Sequence, residues 1–163
     1  MYPENNFSNG VTQKNGSLTR SVVGVIAFDG EKFLLLHRVL NWSGWEFAKG
    51  GIEKGEGIES AIKRELFEET GIPKFELVSK IDEYHFLNKL TNVMVHVQNY
   101  LVRVSSNNKI TFENQPVVDG KIVYEHDDYK WCFPKEAVKL ITHDNSRRSL
   151  KKAIKVLGLS VEK

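Results

Sequence analysis

The sequence RELFEETG at positions 64–71 places three carboxylates, those of Glu65, Glu68 and Glu69, within five positions. Glu65 and Glu69 are four residues apart, so on a helix their side chains are stacked neighbours ~6 Å apart. At an effective dielectric of about 20, two like charges at that distance repel by roughly 3 kcal/mol. Arg64 is spaced to pair with Glu68, but one arginine cannot neutralise three acids. The pattern predicts a divalent cation, and hard oxygen ligands favour Mg²⁺ or Mn²⁺ over zinc.

A helix over 58–70 must position these acids. That span contains no proline or glycine, and Gly71 followed by Pro73 predicts its end. At about 100° per residue, one apolar face collects Ile58, Ala61, Ile62 and Leu66. Glu65 and Glu69 fall inside this stripe, and Glu68 lies at its margin. The alternative is a solvated charged face with ordinary salt bridges, but the apolar stripe argues against it because the acids then point at protein.

The segment FAKGGIEKGEG at positions 47–57 precedes that helix. Its glycines let backbone groups approach a ligand closely, and its lysines, Lys49 and Lys54, favour an anionic one. A glycine-rich loop that leads into a helix N-terminus suits phosphate. The loop is not of the Walker type, because the G-K-[ST] sequence is absent.

These two segments form one continuous pattern, in which Gly50 is followed after five residues by Glu56 and after seven more by RELFEETGI. The pattern resembles the signature of the Nudix hydrolases, G-x5-E-x7-R-E-U-x-E-E-x-G-U, with all nine specified positions filled. We call residues 50–72 the Nudix box. The resemblance implies an α/β/α sandwich with a mixed β-sheet and a strand-loop-helix catalytic unit. It also implies hydrolysis of a nucleoside diphosphate linked to another group X.

The resemblance also implies roles for individual residues. The implied metal ligands are Glu65, Glu68, Glu69 and the Gly50 carbonyl. Glu56 would bind the same metal directly or lie one contact away, and Arg64 would orient the glutamates through salt bridges. One or more metals would activate water and neutralise phosphate oxygens. The general base stays open between a glutamate of the box and one supplied by a distant loop.

Substrate choice is expected to come from outside the box. The sequence EHDDYKW at positions 125–131 resembles the asymmetrical diadenosine tetraphosphate hydrolase branch. That resemblance implies that Glu125 lies near the metals with a catalytic role, that Tyr129 packs against a nucleobase, and that His126 contacts substrate. Each also has an ordinary explanation, since Glu125 and His126 are common in polar loops and Tyr129 is common in sheets.

Basic and aromatic residues upstream of the box are further candidates for substrate contact. We expect Lys49, Lys54 and Arg38 to contact phosphate, and Trp42 to reach either a base or solvent. The sequence WEFAKGGI also resembles the RNA 5′-pyrophosphohydrolase branch, for which the substrate is an RNA 5′ end. Ala48 stands where many tetraphosphate hydrolases carry proline, which puts the substrate in doubt. Nucleotide sugars and oxidised nucleotides are further candidate substrates, and a non-catalytic nucleotide sensor is a candidate function of a different class.

The whole chain has the composition of a globular domain: 163 residues, 40% hydrophobic and 27% charged. A single cysteine, Cys132, excludes an internal disulfide and fits a reducing, cytoplasmic location. The longest apolar run, at 22–28, is too short for a membrane helix, the N-terminus has no secretory signal pattern, and a net charge of +2 does not favour nucleic acid or membrane. The expected partner is a small nucleotide.

The remaining elements follow from periodicity and turn signals. Residues 1–20 are interpreted as a loose N-terminal tail, and residues 21–163 as the Nudix hydrolase domain. The predicted strands are 21–28 and 32–39, joined by an Asp29-Gly30 hairpin, then 76–86, 93–104 and 109–113. Residues 114–130 are expected to be irregular, with a turn at Asp119-Gly120. Two closing helices are predicted at 134–142 and 145–157, the second capped by Asp144 or Asn145.

Overall fold

The computed structural model describes residues 10–162. The strands of this part are β1 (Val11–Lys14), β2 (Ser17–Phe28), β3 (Phe33–Arg38), β4 (Gly44–Glu46), β5 (Ala48–Gly51), β6 (Glu76–Asn88), β7 (Val93–Arg103), β8 (Val117–Val118), β9 (Lys121–Ile122) and β10 (His126–Cys132). The helices are α1 (Ile58–Thr70), α2 (Pro134–Leu140) and α3 (Asp144–Val156).

A mixed sheet carries the fold, with its main strands in the order β10-β3-β2-β7-β6. The central pair, β2 and β7, is parallel, whereas β10 with β3 and β6 with β7 are antiparallel. β3 pairs with β2 only at Phe28 and Phe33, and β5 lies beside β2 at residues 22–25. This change of neighbour brings β5, and with it the start of the box, against the central strand.

Helices cover both faces of the sheet. Along β2, Val23 and Val25 face one core cluster while Ile26 and Phe28 face the other, as the two-residue period of a strand requires. The first cluster includes Ala61, Ile62 and Leu66 of α1, and the second includes Ala137 of α2 with Leu150, Ala153 and Ile154 of α3. The predicted α/β/α sandwich with a mixed sheet is therefore confirmed.

The N-terminal part of the chain differs from the loose tail that we predicted for residues 1–20. Residues 11–14 form β1, which pairs antiparallel with the start of β2 from Val11 opposite Arg20 to Lys14 opposite Ser17. Asn15 and Gly16 make the two-residue turn, with φ of 50° and 78°. Asn-Gly tolerates those positive angles, and it is a strong hairpin signal that our interpretation overlooked. Residues 1–9 lie outside the described part.

The strand predicted at 109–113 is absent from the described structure. This segment instead covers the end of α1, where the Thr111 amide donates to the Thr70 carbonyl. A strand that we did not predict, β10, begins within the segment 114–130 that was expected to be irregular, and it pairs with β3. Its sequence HDDYKWC has three consecutive polar residues at its start, which hid the alternation expected of a strand.

Several local predictions are confirmed. Asp29 stabilises the turn between β2 and β3 by accepting hydrogen bonds from the amides of Glu31 and Lys32. Asp119 and Gly120 form the turn between β8 and β9 with φ of 51° and 74°. The N-cap of α3 differs from the prediction, because it is His143 and it makes no side-chain capping bond.

Candidate active site

Strand β5 and helix α1 hold the acids of the box against the sheet. Glu65 and Glu69 are buried, with relative exposures of 7% and 4%, whereas Glu68 is half-buried at the margin. The Lys49 amide of β5 donates to Oε2 of Glu69 at 3.0 Å, which fixes that carboxylate beside the strand. The predicted position of the glutamates inside the apolar stripe is confirmed.

Gly50 makes this close approach between strand and helix feasible. A Cβ atom at position 50 would lie 2.0 Å from Cδ of Glu65 and 2.1 Å from its Oε1. Such distances are far inside van der Waals contact, so only glycine leaves room for the carboxylate. The backbone of Gly50 and the Glu65 carboxylate therefore border the same small space.

Arg64 connects the loop and the helix. Its Nε and Nη2 donate to the two oxygens of Glu56, each at 2.8 Å, and Nη2 also donates to the Gly51 carbonyl at 2.7 Å. Its Nη1 donates to Oε1 of Glu65 at 2.5 Å and lies 3.6 Å from Oε2 of Glu68. These contacts are those of an orienting residue, because every donor edge of the guanidinium is used on protein oxygens.

The acids of α1 are short of positive charge in the protein alone. Burial raises the pKa of Glu65 to about 7, in spite of Arg64, and burial also raises the pKa of Glu68. Burial, together with the charges of Glu65, Glu125 and Glu46, raises the pKa of Glu69 well above its usual range. By contrast, the hydrogen bonds from Arg64 lower the pKa of Glu56.

The donor chemistry of this cluster fits a hard divalent cation. The carboxylate oxygens of Glu65, Glu68 and Glu69 come from α1, and the carbonyl oxygen of Gly50 comes from β5. All are oxygen ligands of the type that Mg²⁺ and Mn²⁺ prefer. A cation there would stabilise the ionised carboxylates, which burial disfavours.

The start of β10 adds the remote residues to this cluster. One ligand atom each from Glu69, Glu125 and His126 lie within 4.8 Å of one another. The pairing of β10 with β3 has an irregularity between His126 and Asp128, which turns the first residues of the strand toward the box. Glu125, which we predicted to lie near the metals, is thus close to Glu69 of the box.

A second polar network, formed by Glu46, Arg38, Lys49 and His126, adjoins the acids; we call it the Glu46 network. Oε1 of Glu46 accepts from Nε2 of His126 at 2.9 Å and from Nη1 of Arg38 at 3.0 Å. Oε2 of Glu46 lies 2.9 Å from Nζ of Lys49. Although burial opposes ionisation, the His126 hydrogen bond and the two cations lower the pKa of Glu46 to about 2.

Sequence reasoning missed Glu46. The only sign of it in the sequence was the position of an acidic residue between two aromatic residues, Trp45 and Phe47. The same network changes the interpretation of two predicted residues. Arg38 donates hydrogen bonds to Glu46 and to the Leu40 carbonyl and lies 3.5 Å from Glu125. Its contacts therefore hold acidic side chains in place. His126 is fully buried, which argues against the predicted direct contact with substrate.

The other predicted substrate contacts lie at the rim of the site. Tyr129 is 40% exposed and pairs with Leu36, a residue of the α1-side core, so its ring lies on the same face as α1. Trp42 lies near two cations, with Lys49 Nζ 5.9 Å and Arg38 Cζ 5.8 Å from the ring centroid. Lys54 is exposed on the loop before α1 and has no ion pair within residues 10–162.

A family model of the NUDIX domain matches residues 18–154. The chain therefore belongs to the Nudix hydrolase family, and it is an enzyme of that family. It is 31% identical to Nudix hydrolase 25 of Arabidopsis thaliana over 153 residues, which cover 85% of this chain and 86% of that protein. It is 32% identical to an RNA pyrophosphohydrolase of Campylobacter jejuni over 107 residues, which cover 61% of this chain and 64% of that protein.

Among solved structures, the fold is similar to that of a C. elegans Ap4A hydrolase binary complex, with a TM-score of 0.69 and 21% identity. The match covers 85% of this chain and 98% of that one. At this identity the likeness establishes the fold alone. Within residues 10–162, no helix is both long and apolar enough to cross a membrane.

Proposed function

We propose that this protein hydrolyses phosphoanhydride bonds in nucleoside diphosphate-X compounds with the help of Mg²⁺ or Mn²⁺. One observation carries the proposal: Glu65 and Glu69 are buried beside each other with raised pKa values, and the protein supplies too few cations for them. A cluster like this is unfavourable unless a cation or protons compensate it. A catalytic metal is the compensation that suits the family.

In this proposal the metal is held by Glu65, Glu68, Glu69 and the Gly50 carbonyl. A bound cation neutralises phosphoryl oxygens and makes a water acidic enough to act as nucleophile. Arg64 holds Glu56 and Glu65 in place, so that the carboxylates need not reorganise when substrate arrives. Glu125 is the candidate general base from outside the box, because it is half-buried at the edge of the cluster and is not one of the proposed ligands from the box.

The phosphate chain is assigned to basic residues at the rim. Lys49 also pairs with Glu46, at 2.9 Å, but its side chain is 37% exposed, so its ammonium can face a phosphate as well. Lys54 lies on the exposed loop and can follow a longer phosphate chain. Arg38 is engaged with Glu46, so it contributes positive potential rather than a free donor.

The substrate that we propose first is a dinucleoside polyphosphate such as diadenosine tetraphosphate. The support is that EHDDYKW, the segment resembling that branch, reaches the box through Glu125. Tyr129 of the same segment presents an exposed ring on the α1 face, where a nucleobase can pack.

An RNA 5′ end is the second candidate. It is favoured by the relatives named RNA pyrophosphohydrolase and by the WEFAKGGI sequence, which carries Glu46 and Lys49. Both candidate substrates join a nucleoside to a further group through a phosphate chain, so the same metal centre serves either. A cytoplasmic location is part of the proposal, in keeping with the free, buried Cys132.

The test is a panel of substrates with products identified. Diadenosine tetraphosphate, 5′-triphosphorylated RNA, capped RNA, a nucleotide sugar and a nucleoside triphosphate are compared at equal concentration with Mg²⁺, with Mn²⁺ and with chelator. We expect metal-dependent cleavage with the tetraphosphate among the best substrates. If it is among the poorest, the substrate assignment is wrong. Undiminished turnover in chelator contradicts the metal mechanism.

A nucleotide sensor would give a different result. Calorimetry would then detect nucleotide binding while no product forms with any metal. The retained acid cluster argues against a sensor, because a protein that only binds nucleotide does not need to maintain buried, mutually repulsive carboxylates.

A further inference from the structure

His126 is a buried imidazole at the edge of the acid cluster that the proposed reaction does not use. Its relative exposure is 0%, and one of its ring nitrogens lies within 4.8 Å of carboxylate oxygens of Glu69 and Glu125. It stands at the start of β10, immediately after Glu125. A polar ring without exposure needs a partner for each nitrogen.

One nitrogen has a partner. Nε2 of His126 lies 2.9 Å from Oε1 of Glu46, a carboxylate that is itself 2% exposed and bound by Arg38 and Lys49. An ionised carboxylate only accepts hydrogen bonds, so Nε2 is the nitrogen that carries the hydrogen. The other nitrogen, Nδ1, is inaccessible to water and has no hydrogen-bond partner within the described residues.

This arrangement fixes the ring in the form that ligates metals. In metal sites a histidine commonly donates one N–H to a carboxylate, which orients the ring and makes its other nitrogen a better donor. Glu46 occupies the place of that carboxylate. The protein thereby leaves Nδ1 without a hydrogen-bond partner, on a ring that offers a nitrogen within 4.8 Å of carboxylate oxygens of Glu69 and Glu125. Such surroundings suit a cation.

We propose that Nδ1 of His126 is a metal ligand, sharing a divalent cation with carboxylate oxygens of Glu69 and Glu125. The inference rests on the proposed metal-dependent function and adds a nitrogen donor to a site otherwise made of oxygens. Glu46 is the positioning residue for the ring. Arg38 lies 3.5 Å from Glu125, a long contact that a cation can replace while Arg38 keeps its bond to Glu46.

A nitrogen ligand changes which metal the site prefers. Mg²⁺ takes oxygen ligands almost exclusively, whereas imidazole suits first-row transition metals. The protein is therefore expected to hold Mn²⁺ more tightly than Mg²⁺ at this position. Replacing His126 removes the preference and leaves the oxygen ligands of the box.

The direct test is electron spin-echo envelope modulation on the full chain loaded with Mn²⁺, without any substrate. A coordinated imidazole gives ¹⁴N modulation, which a site of oxygens alone does not give. We expect the modulation in the wild-type protein and its loss in His126→Gln. His96→Gln is the matched control, because His96 is a half-exposed histidine of β7 paired with Glu83, and it is expected to keep the modulation.

A second measurement protects the test against a variant that does not fold. Wild-type protein grown with ¹⁵N-histidine must change its modulation from the ¹⁴N to the ¹⁵N pattern, which assigns the ligand without mutation. In folded His126→Gln, calorimetry is expected to give an Mn²⁺ affinity about 10-fold or more below wild type. The Mg²⁺ affinity is expected to change less.

The outcomes separate this inference from the proposed function. Stoichiometric Mn²⁺ binding with no nitrogen modulation in the wild-type protein overturns the inference, even if the enzyme hydrolyses nucleotides. Histidine modulation in a protein that cleaves no substrate of the panel supports the inference and contradicts the proposed reaction.

Discussion

Glu65 and Glu46 are two buried glutamates of one site, and their surroundings shift their pKa values in opposite directions. Burial raises the pKa of Glu65 to about 7, although Arg64 contacts it. Burial also opposes ionisation of Glu46, but His126, Lys49 and Arg38 lower its pKa to about 2. The protein therefore completes the charge balance of the Glu46 network by itself and leaves that of the α1 acids open. An incomplete balance marks the place for a ligand.

The largest expected effect concerns Glu69, one of the α1 acids whose charge the protein does not balance. Glu69→Gln is expected to lower kcat by roughly 1,000-fold, because one oxygen ligand and one negative charge are lost from the metal environment. The fold should survive, since a neutral amide avoids the repulsion with Glu65. Steady-state kinetics with Mg²⁺ and circular dichroism measure the two properties. Glu59→Gln, an exposed acid of the same helix, is the control and should keep full turnover.

The next largest effect concerns Glu46, whose charge is balanced by cations of the protein itself. Glu46→Gln is expected to lower the free energy of unfolding by about 3 kcal/mol, because it leaves Arg38 and Lys49 buried or half-buried without their counter-ion. Urea unfolding in chelator measures it. Glu65→Gln in the same buffer should be neutral or stabilising. Equal losses of unfolding free energy in both variants would contradict the difference between the Glu46 network and the α1 acids.

The pH dependence of the metal-free protein sharpens the comparison. Glu65 has a folded pKa of about 7 against 4.5 unfolded, so between those values the folded state binds more protons. Stability must then fall as pH rises, by roughly 2 kcal/mol between pH 5 and 8 from this group. The Glu46 contribution is constant in that window, because its lowered pKa matters only below about 4.5.

The measurement is unfolding in chelator at several pH values, for wild type and Glu65→Gln. The difference between the two curves reports Glu65 together with its coupling to Glu69, whose pKa the Glu65 charge raises. The lowered pKa of His143, which acts in the opposite sense, is common to both. Mg²⁺ should stabilise the wild type more at pH 8 than at pH 6. A difference that does not vary with pH would show that Glu65 is compensated inside the protein.

The smallest expected effect concerns Tyr129, which belongs neither to the α1 acids nor to the Glu46 network. Tyr129→Ala is expected to raise KM for diadenosine tetraphosphate roughly 10-fold by removing a stacking surface, with little change in kcat. Tyr129→Phe should restore the wild-type KM. Phe86→Ala removes an aromatic ring that is similarly exposed on β6 and should leave KM unchanged. A fall in kcat alone would assign Tyr129 to another role.

The same contrast explains what could be predicted from sequence. All residues of the box lie within positions 50–72, so helix periodicity and a local signature were enough to place them. The Glu46 network joins residues from β3, β4, β5 and β10, including Glu46 and His126, which are 80 positions apart. Such pairing depends on strand order, and β10 was not recognised because its polar start masks the alternation. Asn15-Gly16 is different, since that turn was readable and was overlooked.

Gly50 limits how this site can change over time. A single methyl group there would overlap the Glu65 carboxylate, and relieving the overlap requires that carboxylate to leave its place beside Gly50 and Arg64. Even the smallest substitution at this position therefore displaces one of the buried carboxylates of the cluster. Variation in the substrates of related enzymes has to arise at the rim, around positions such as Trp42 and Tyr129, while position 50 stays closed to side chains.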